Sequence, residues 1–264
     1  MKYKVIVITV CRNAEQVLEE TMLSVLNQTY SNIDYIIIDG ASTDDTISII
    51  DKYKDRLKAW LSEPDEGIYD AMNKGLMVAA SLMGENETAW INFMNAGDIF
   101  CDELVLESIF GVSGSLNLSP NKNMAKVIGG STVNVFPDGT IRIDQPELPK
   151  FLPIRLTFSH QACFVKYGLV NSGKVSQNMW RFDTRYKFAA DYKLLLNIYQ
   201  EYGEQAFVLT NCQVACYSKD GSTTVLHPKR TRYEYLKIQA DWKSIRWWKE
   251  IVKLLLWMML DKRV

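Results

Sequence analysis

With 264 residues, 47% of them hydrophobic, the chain is long enough to bury one large core or two small ones and too apolar to be disordered. A net charge of −1 and a pI near 6.2 give no overall field that would call for nucleic acid. The balance is uneven: residues 226–264 hold ten Lys/Arg against four Asp/Glu, a basic tail on an acidic body. Cys11, Cys101, Cys163, Cys212 and Cys216 are odd in number and form no C-x-x-C pair, which suits reduced thiols better than a disulfide framework or a zinc site. The first ten residues, MKYKVIVITV, lead directly into a strand pattern without a signal-peptide cleavage site. Together these predict a cytoplasmic protein.

Val5 to Val10 is a β-branched run of the kind buried on both faces of a sheet. It ends at Cys11-Arg12-Asn13, and the following AEQVLEETMLSVLNQ places Val17, Leu18, Met22, Val25 and Leu26 on one helical face, with Asn13 as N-cap. A second strand, Tyr35 to Ile38, stops at Asp39-Gly40, and Ser42-Thr43-Asp44-Asp45 caps a helix carrying Ile47, Ile49, Ile50 and Tyr53. A third strand is expected at Leu57 to Leu61 and a third helix from Ile68, holding Ala71, Met72, Leu76 and Ala79. The fourth strand, Ala89 to Met94, delivers the turn Asn95-Ala96-Gly97-Asp98 at its carboxyl end. Alternating strands and helices predict a Rossmann-like α/β fold with a mostly parallel sheet, and such sheets bind ligands at the strands' carboxyl ends. Arg12, Asn13, Asp39, residues 63–66 and Asp98 gather there. Neither G-x-G-x-x-G nor G-x-x-x-x-G-K-[ST] occurs, so no dinucleotide or P-loop site is indicated.

Several of these residues read two ways. Asp98 suits a hard cation, since magnesium or manganese takes few protein carboxylates, but on this stretch alone it reads first as a polar turn capping the next helix. Asp39 suits a hydrogen bond to a base or ribose, and equally a turn before Gly40. Beyond Phe110 the pattern changes: residues 111–123 read as a surface loop, and Lys126 to Phe136 with Thr140 to Ile143 form a hairpin across Pro137-Asp138-Gly139. A strand Ala162 to Val165 follows Ser159-His160-Gln161. After a loop at 171–178, Asp191 falls in the first turn of a helix with Leu194, Leu195, Ile198 and Tyr199 on its apolar side. Asp191 there either complements the helix dipole or serves as a general base. His160 has no second His or Cys at metal spacing and reads first as a structural histidine. The tail carries four of the seven tryptophans, Trp242, Trp247, Trp248 and Trp257, among Lys243, Arg246, Lys249 and Lys253. Residues 245–264 read as an amphipathic helix that lies on an anionic membrane or docks on the body or a second subunit; the apolar run 254–260 is too short to span a bilayer.

In order along the chain, ITVCRNAEQVLEETMLSVLNQTY, IIIDGASTDDT, SEPDEGIYDAMNKG, NAGD, HQA and AADYKLLL resemble the family 2 glycosyltransferases of the GT-A fold, over roughly residues 4–224. The resemblance implies one GT-A domain at 1–225, with a nucleotide-sugar half at 1–105 and an acceptor half at 106–225, followed by the helical tail at 226–264. It implies that Asp39 contacts the nucleotide base, with Thr9, Arg12 and Asn13 lining the same pocket. Asp65, Gly67, Asp70, Asn73 and Lys74 belong to the segment that approaches the base and the sugar-diphosphate, and Asn95 joins this substrate-binding set. Asp98 becomes the ligand of Mn2+ or Mg2+, Gly97 stands where many relatives carry a ribose-contacting Asp, and Asp191 becomes the general base. His160 and Gln161 fall near the donor phosphates or the acceptor. The implied activity is inverting, metal-dependent transfer from a nucleotide-sugar to a glycan or lipid-linked hydroxyl in surface polysaccharide synthesis, near the inner membrane face. Two other readings are a non-catalytic glycan- or partner-binding protein and a nucleotidyltransferase; the latter needs a Gly-rich loop after the first strand, which CRNAEQ lacks.

Overall fold

The structure is a computed structural model that describes residues 3–84, 87–136, 138–167, 181–218 and 226–242. β1 (Lys4–Cys11) lies at the centre of a parallel quartet in the order β3 (Ala59–Ser62), β2 (Ile33–Asp39), β1, β4 (Ala89–Phe93). Its neighbouring residues divide between two cores. Ile6, Ile8 and Val10 join one cluster, and Val5, Val7 and Cys11 the other, as alternation along a strand buried on both faces requires. The sheet continues through β8 (Cys163–Tyr167), β6 (Val127–Val135) and β9 (Phe207–Ser218) to β5 (Asp98–Phe100), with β7 (Ile141–Asp144) on β6. β8 pairs antiparallel with both β4 and β6, so parallel pairing gives way to mixed pairing beside the site.

Helices cover both faces. Apolar residues of α1 (Leu18–Leu26), α2 (Thr46–Tyr53) and α4 (Val105–Phe110) fill one core; α5 (Ser115–Leu118) adds Leu116. The other core takes α3 (Ile68–Leu82), α6 (Ala190–Tyr202) and α7 (Pro228–Asp241). The expected third helix and the helix bearing Asp191 are thus present, as is the hairpin of β6 and β7. α3 sits close on the sheet through Gly75: a Cβ there would lie 2.6 Å from Cγ2 of the fully buried Ile8. Gly75→Ala is therefore expected to cost about 1–3 kcal/mol, because overpacking outweighs the gain in helix propensity; chemical denaturation measures it.

Some expectations shift. Asn13 does not cap α1, which begins at Leu18 after a turn in which Val17 and Leu18 N–H donate to Ala14. Asn13 instead adopts a positive φ of 49° and ties two loops together, its Oδ1 accepting from Thr43 N–H (2.9 Å) and its N–H donating to Ser42 Oγ (2.8 Å). Asp98 opens strand β5, not a helix. The third strand starts two residues later than predicted and ends one later, at Ala59–Ser62. The expectation of reduced thiols is overturned at one pair: Cys101 and Cys216 form a disulfide, with Cα atoms 5.3 Å apart. The antiparallel register places Ile99 opposite Cys216, so two cysteines 115 residues apart in sequence become neighbours.

Residues 228–241, assigned from sequence to the tail, pack on the body. Ile238 is fully buried, Tyr235 meets Tyr192 at 4.9 Å between ring centres, and the Glu234 carboxylate accepts from Lys187 and Phe188 N–H at 2.8 Å each. The amphipathic segment 245–264 and the loop 171–178 lie outside the described residues. Among described residues no helix is long and apolar enough to cross a membrane.

Candidate active site

The loops after β1, β2 and β3 meet at the carboxyl end of the quartet. Asp39, the last residue of β2, is fully buried; its Oδ2 accepts from Ser42 N–H (2.9 Å) and Ser62 Oγ–H (2.6 Å), while Oδ1 accepts from Ser42 Oγ–H. Asp39 thereby knits the loop after β2 to the end of β3, a role its place in the sequence did not specify. Burial, with Asp39 beside it, pushes the Cys11 thiol up from its ordinary range, so it stays protonated. At Gly40 a Cβ would lie 2.2 Å from Asp65 Oδ2 and 3.3 Å from Arg12 Cβ. A side chain at position 40 would have to displace the Asp65 carboxylate and crowd Arg12. Thr9 takes no part here. It has no exposed surface, donates to the Met94 carbonyl (2.7 Å) and pairs with Tyr35 Oη (2.8 Å), pinning β1 to the end of β4. Its side chain belongs to the sheet interior because it sits on a strand buried on both faces.

The segment 63–74 holds itself together. Asp65 Oδ1 accepts from Gly67 N–H (2.8 Å) and Asp70 Oδ2 from Glu66 N–H (3.1 Å). Lys74 donates to the Pro64 carbonyl (2.5 Å) and pairs with Glu63 (3.0 Å) and Asp70 (3.5 Å). Gly67 precedes α3 with φ 121°, a conformation reserved for glycine. Asn73 commits both ends of its amide to the backbone of Phe182, at 2.9 and 2.8 Å. Asn73 and Lys74 therefore act on the protein's own backbone. Phe182 in turn stacks on Tyr69 (5.4 Å between centres) and meets Phe93 edge-on (5.2 Å).

The turn after β4 carries Asn95 and Asp98, 8% and 9% exposed, and Asp98 N–H donates to the Asn95 carbonyl (2.9 Å). Gly97 between them has φ 96°, so an aspartate at this place would be strained. Its N–H is bound to Thr21 Oγ1 (3.0 Å). Asn92 donates to the carbonyls of Gln161 (2.8 Å) and Cys163 (3.0 Å) and so anchors the short 3-10 turn His160–Ala162 against β4. Within that turn the Gln161 side chain accepts from Ser159 Oγ–H (2.8 Å). His160 then bridges two elements. Its Nε2 lies 3.0 Å from Asn95 Nδ2, and its Nδ1 lies 3.2 Å from Oδ2 of Asp191 on the first turn of α6. Asp191 Oδ1 accepts from Tyr69 Oη–H (3.1 Å) and from Tyr192 N–H (2.8 Å). Sequence reasoning missed Tyr69, although it lies inside the EGIYD segment; its aromatic character indicated core and its hydroxyl gave no separate signal.

Burial alone would lower the His160 pKa, but the hydrogen bond and charge of Asp191, with the charge of Asp98, raise it above 6.5. The folded state therefore binds this proton more tightly than the unfolded state. The resulting stabilisation is fully present below the unfolded value of about 6.5 and is lost as pH rises through the folded value. Side-chain NMR titration is expected to place the His160 midpoint above 6.5. An apolar pocket lined by Leu76, Phe93, Val165, Phe182 and Leu194 ends at His160 and Asp191. A polar cleft with Arg181, Asp183, Arg185 and Lys193 adjoins it, sharing Phe182 and Leu194 as a common wall. The structure thus brings Asn95, His160 and Asp191 into one cluster, with the charge of Asp98 felt there, and sets Arg12, Asn13, Asp39, Asp65, Gly67 and Asp70 around the neighbouring loops.

The sequence and fold of the chain match known proteins. The model of glycosyl transferase family 2 matches residues 6–111. An uncharacterised glycosyltransferase of Mycobacterium tuberculosis (strain CDC 1551 / Oshkosh) is 31% identical over 194 residues, 72% of this chain and 66% of the relative, so the chain spans just under two thirds of that relative's length. Staphylococcus aureus TarS 1–349, in complex with UDP-GlcNAc, superposes with a TM-score of 0.66 at 16% identity, over 90% of this chain and 66% of that one. The mannosyltransferase PcManGT from Pyrobaculum calidifontis, in complex with GDP-Man and Mn2+, gives 0.61 at 16% identity, over 92% and 66%. By these matches the chain is similar to the family 2 glycosyltransferases, and its fold is the GT-A fold of the matched structures.

Proposed function

We propose that this protein transfers a sugar from a nucleotide-sugar to an acceptor hydroxyl in a single inverting displacement, with Asp191 as general base and Asp98 as ligand of a divalent metal. The observation that carries this reading is the bridge through His160, which sets a candidate base and the turn of a candidate metal ligand on either side of one imidazole. Residues 1–105 supply the donor side and residues 106–225 the acceptor side. Arg12, Asn13, Asp39, Asp65, Gly67 and Asp70 shape the nucleotide pocket.

The donor set fits magnesium or manganese. Asp98 offers one carboxylate, and Asn95 of the same turn has a buried amide oxygen with no hydrogen-bond partner; both are hard oxygen donors. No cluster of three or more His, Cys, Asp or Glu occurs among the described residues, as expected of an ion that fills its remaining positions with water and phosphate oxygens. When bound, such a cation stabilises the charge of the departing diphosphate. Asp191 takes the proton of the attacking hydroxyl, and the apolar pocket beside it keeps water from competing. A neighbour of the same fold was solved with GDP-Man and Mn2+, which supports a divalent ion here. Nucleoside diphosphate released from a panel of nucleotide-sugars, with and without added Mn2+, tests the reading. Metal-dependent release with one donor is expected, and no release with any donor would count against it.

The acceptor we favour is a lipid-linked glycan at the inner membrane face, because the segment 243–264 combines Trp247, Trp248 and Trp257 with a net positive charge. Removing residues 245–264 is expected to abolish binding to vesicles containing anionic lipid. Unchanged binding would remove this part of the proposal.

A further inference from the structure

A carboxylate accepts about four hydrogen bonds, two at each oxygen. On Asp191, Oδ1 is saturated by Tyr69 Oη–H (3.1 Å) and Tyr192 N–H (2.8 Å), and Oδ2 takes one bond from His160 Nδ1 (3.2 Å). One position on Oδ2 is left. The other ring nitrogen, Nε2, faces the Nδ2 of Asn95 at 3.0 Å, and an amide nitrogen only donates. Nε2 therefore accepts, which places the ring proton on Nδ1, pointing at Asp191. With the amide turned the other way, its oxygen, now buried without a partner, would accept from Nε2. That arrangement goes with a charged ring, because a bare Nδ1 would face a carboxylate; in either orientation of the amide Nδ1 carries a proton that points at Asp191.

We propose, building on the general-base reading, that His160 and Tyr69 are positioning residues: they hold Asp191 so that a single lone pair of Oδ2 receives the acceptor proton, with His160 donating from Nδ1 to Asp191 while Asn95 holds the ring at Nε2. The acceptor O–H bond breaks as its oxygen bonds to the anomeric carbon, the bond from that carbon to the nucleoside diphosphate breaks with its electron pair leaving on the diphosphate, and the proton moves to Oδ2 while the His160 proton stays on Nδ1. The turn that carries Asp98 thereby also sets the orientation of the base, because Asn95 reaches the imidazole and its carbonyl holds the Asp98 N–H. The other titratable groups facing Asp191 are Tyr69 from α3, Cys163 from β8 and Tyr235 from α7, each raised in pKa by burial first and by the Asp191 charge second.

Two measurements on the full chain test this. The chain has two histidines, so 15N-histidine spectra are assigned with one substitution, His227→Gln. Nδ1 is expected to resonate as a protonated nitrogen throughout the pH range in which the protein is folded; an unprotonated Nδ1 with the proton on Nε2 would overturn the hydrogen bond to Asp191. In steady-state kinetics, His160→Ala is expected to lower kcat about 100-fold with the donor KM little changed, the scale of misplacing a catalytic group by about 1 Å. His160→Gln, which keeps an N–H donor, is expected to recover part of the loss, and Tyr69→Phe to show a smaller loss. In an Asp191→Asn background, His160→Ala is expected to have no further effect, since residues acting through one group are non-additive. Equal losses in both backgrounds, or an unchanged kcat, would assign His160 a merely structural role. Absence of any transfer by the wild type would instead count against the transferase reading, and the NMR pattern would still decide whether Nδ1 donates to Asp191.

Discussion

Asp191→Asn is expected to lower the rate of sugar transfer by about 100- to 10,000-fold, the span usually contributed by a general base. The substitution removes the basic oxygen while keeping size and shape, so the fold should survive. The amide introduced in this way can still accept from Tyr69 and Tyr192 through its oxygen, but its NH2 then faces His160 Nδ1 in place of a carboxylate oxygen. His160 can meet it by moving its own proton to Nε2, which the Asn95 amide accepts only after turning its oxygen toward the ring. The variant thus loses the base and disturbs the histidine that orients it. Initial rates of glycoside formation, with circular dichroism as a control for folding, measure the effect. A near-normal rate in a folded variant would remove Asp191 from the mechanism.

The second large effect falls on the donor. Asp98→Ala is expected to reduce kcat/KM for the nucleotide-sugar by about 100- to 1,000-fold, the scale on which loss of one electrostatic stabiliser of developing charge is felt. The residual activity should no longer respond to Mn2+. Asp98 is 9% exposed, and its neighbours within the turn are Gly97 and Asn95, so no second carboxylate from this turn replaces it. Removing its charge also removes one of the influences that raise the His160 pKa, so the His160 titration should move down in the same variant. Activity titrated against Mn2+ in both proteins is the measurement. An Asp98→Ala enzyme that keeps the wild-type metal dependence would place the metal elsewhere.

The parts of the fold written in local pattern were readable from sequence. β1 and β2 are apolar on both faces, and α3 repeats its apolar residues at helical spacing, so period alone defined them. The hairpin of β6 and β7 was visible in its Asp-Gly turn, and Asp191 was placed in the first turn of a helix. Features set by tertiary contact were not readable. Asn13 looks like a helix cap because Asn favours caps, yet its partners Ser42 and Thr43 lie some thirty residues away and win the side chain for loop bridging. Thr9 and Asn73 belong to motif segments, but their partners are Met94, Tyr35 and the backbone of Phe182, and these consume their hydrogen bonds inside the protein. The Cys101–Cys216 pair depends on the register of β5 against β9, which no spacing reveals. The link from Asp191 through His160 to Asn95 joins three separate elements, so the candidate residues could be named one by one while their connection could not.

The most direct test of metal-assisted donor binding is a thermal-shift panel of nucleotide-sugars, each with and without Mn2+, on the wild type and on Asp98→Ala. A ligand that binds only the folded state stabilises it by about 2.7 kcal/mol at a hundred times its Kd, which raises Tm by several degrees for a chain of this size. One donor is expected to raise the wild-type Tm by this amount only when Mn2+ is present, and to leave Asp98→Ala unshifted. Equal shifts in the two proteins, or shifts indifferent to Mn2+, would contradict the account.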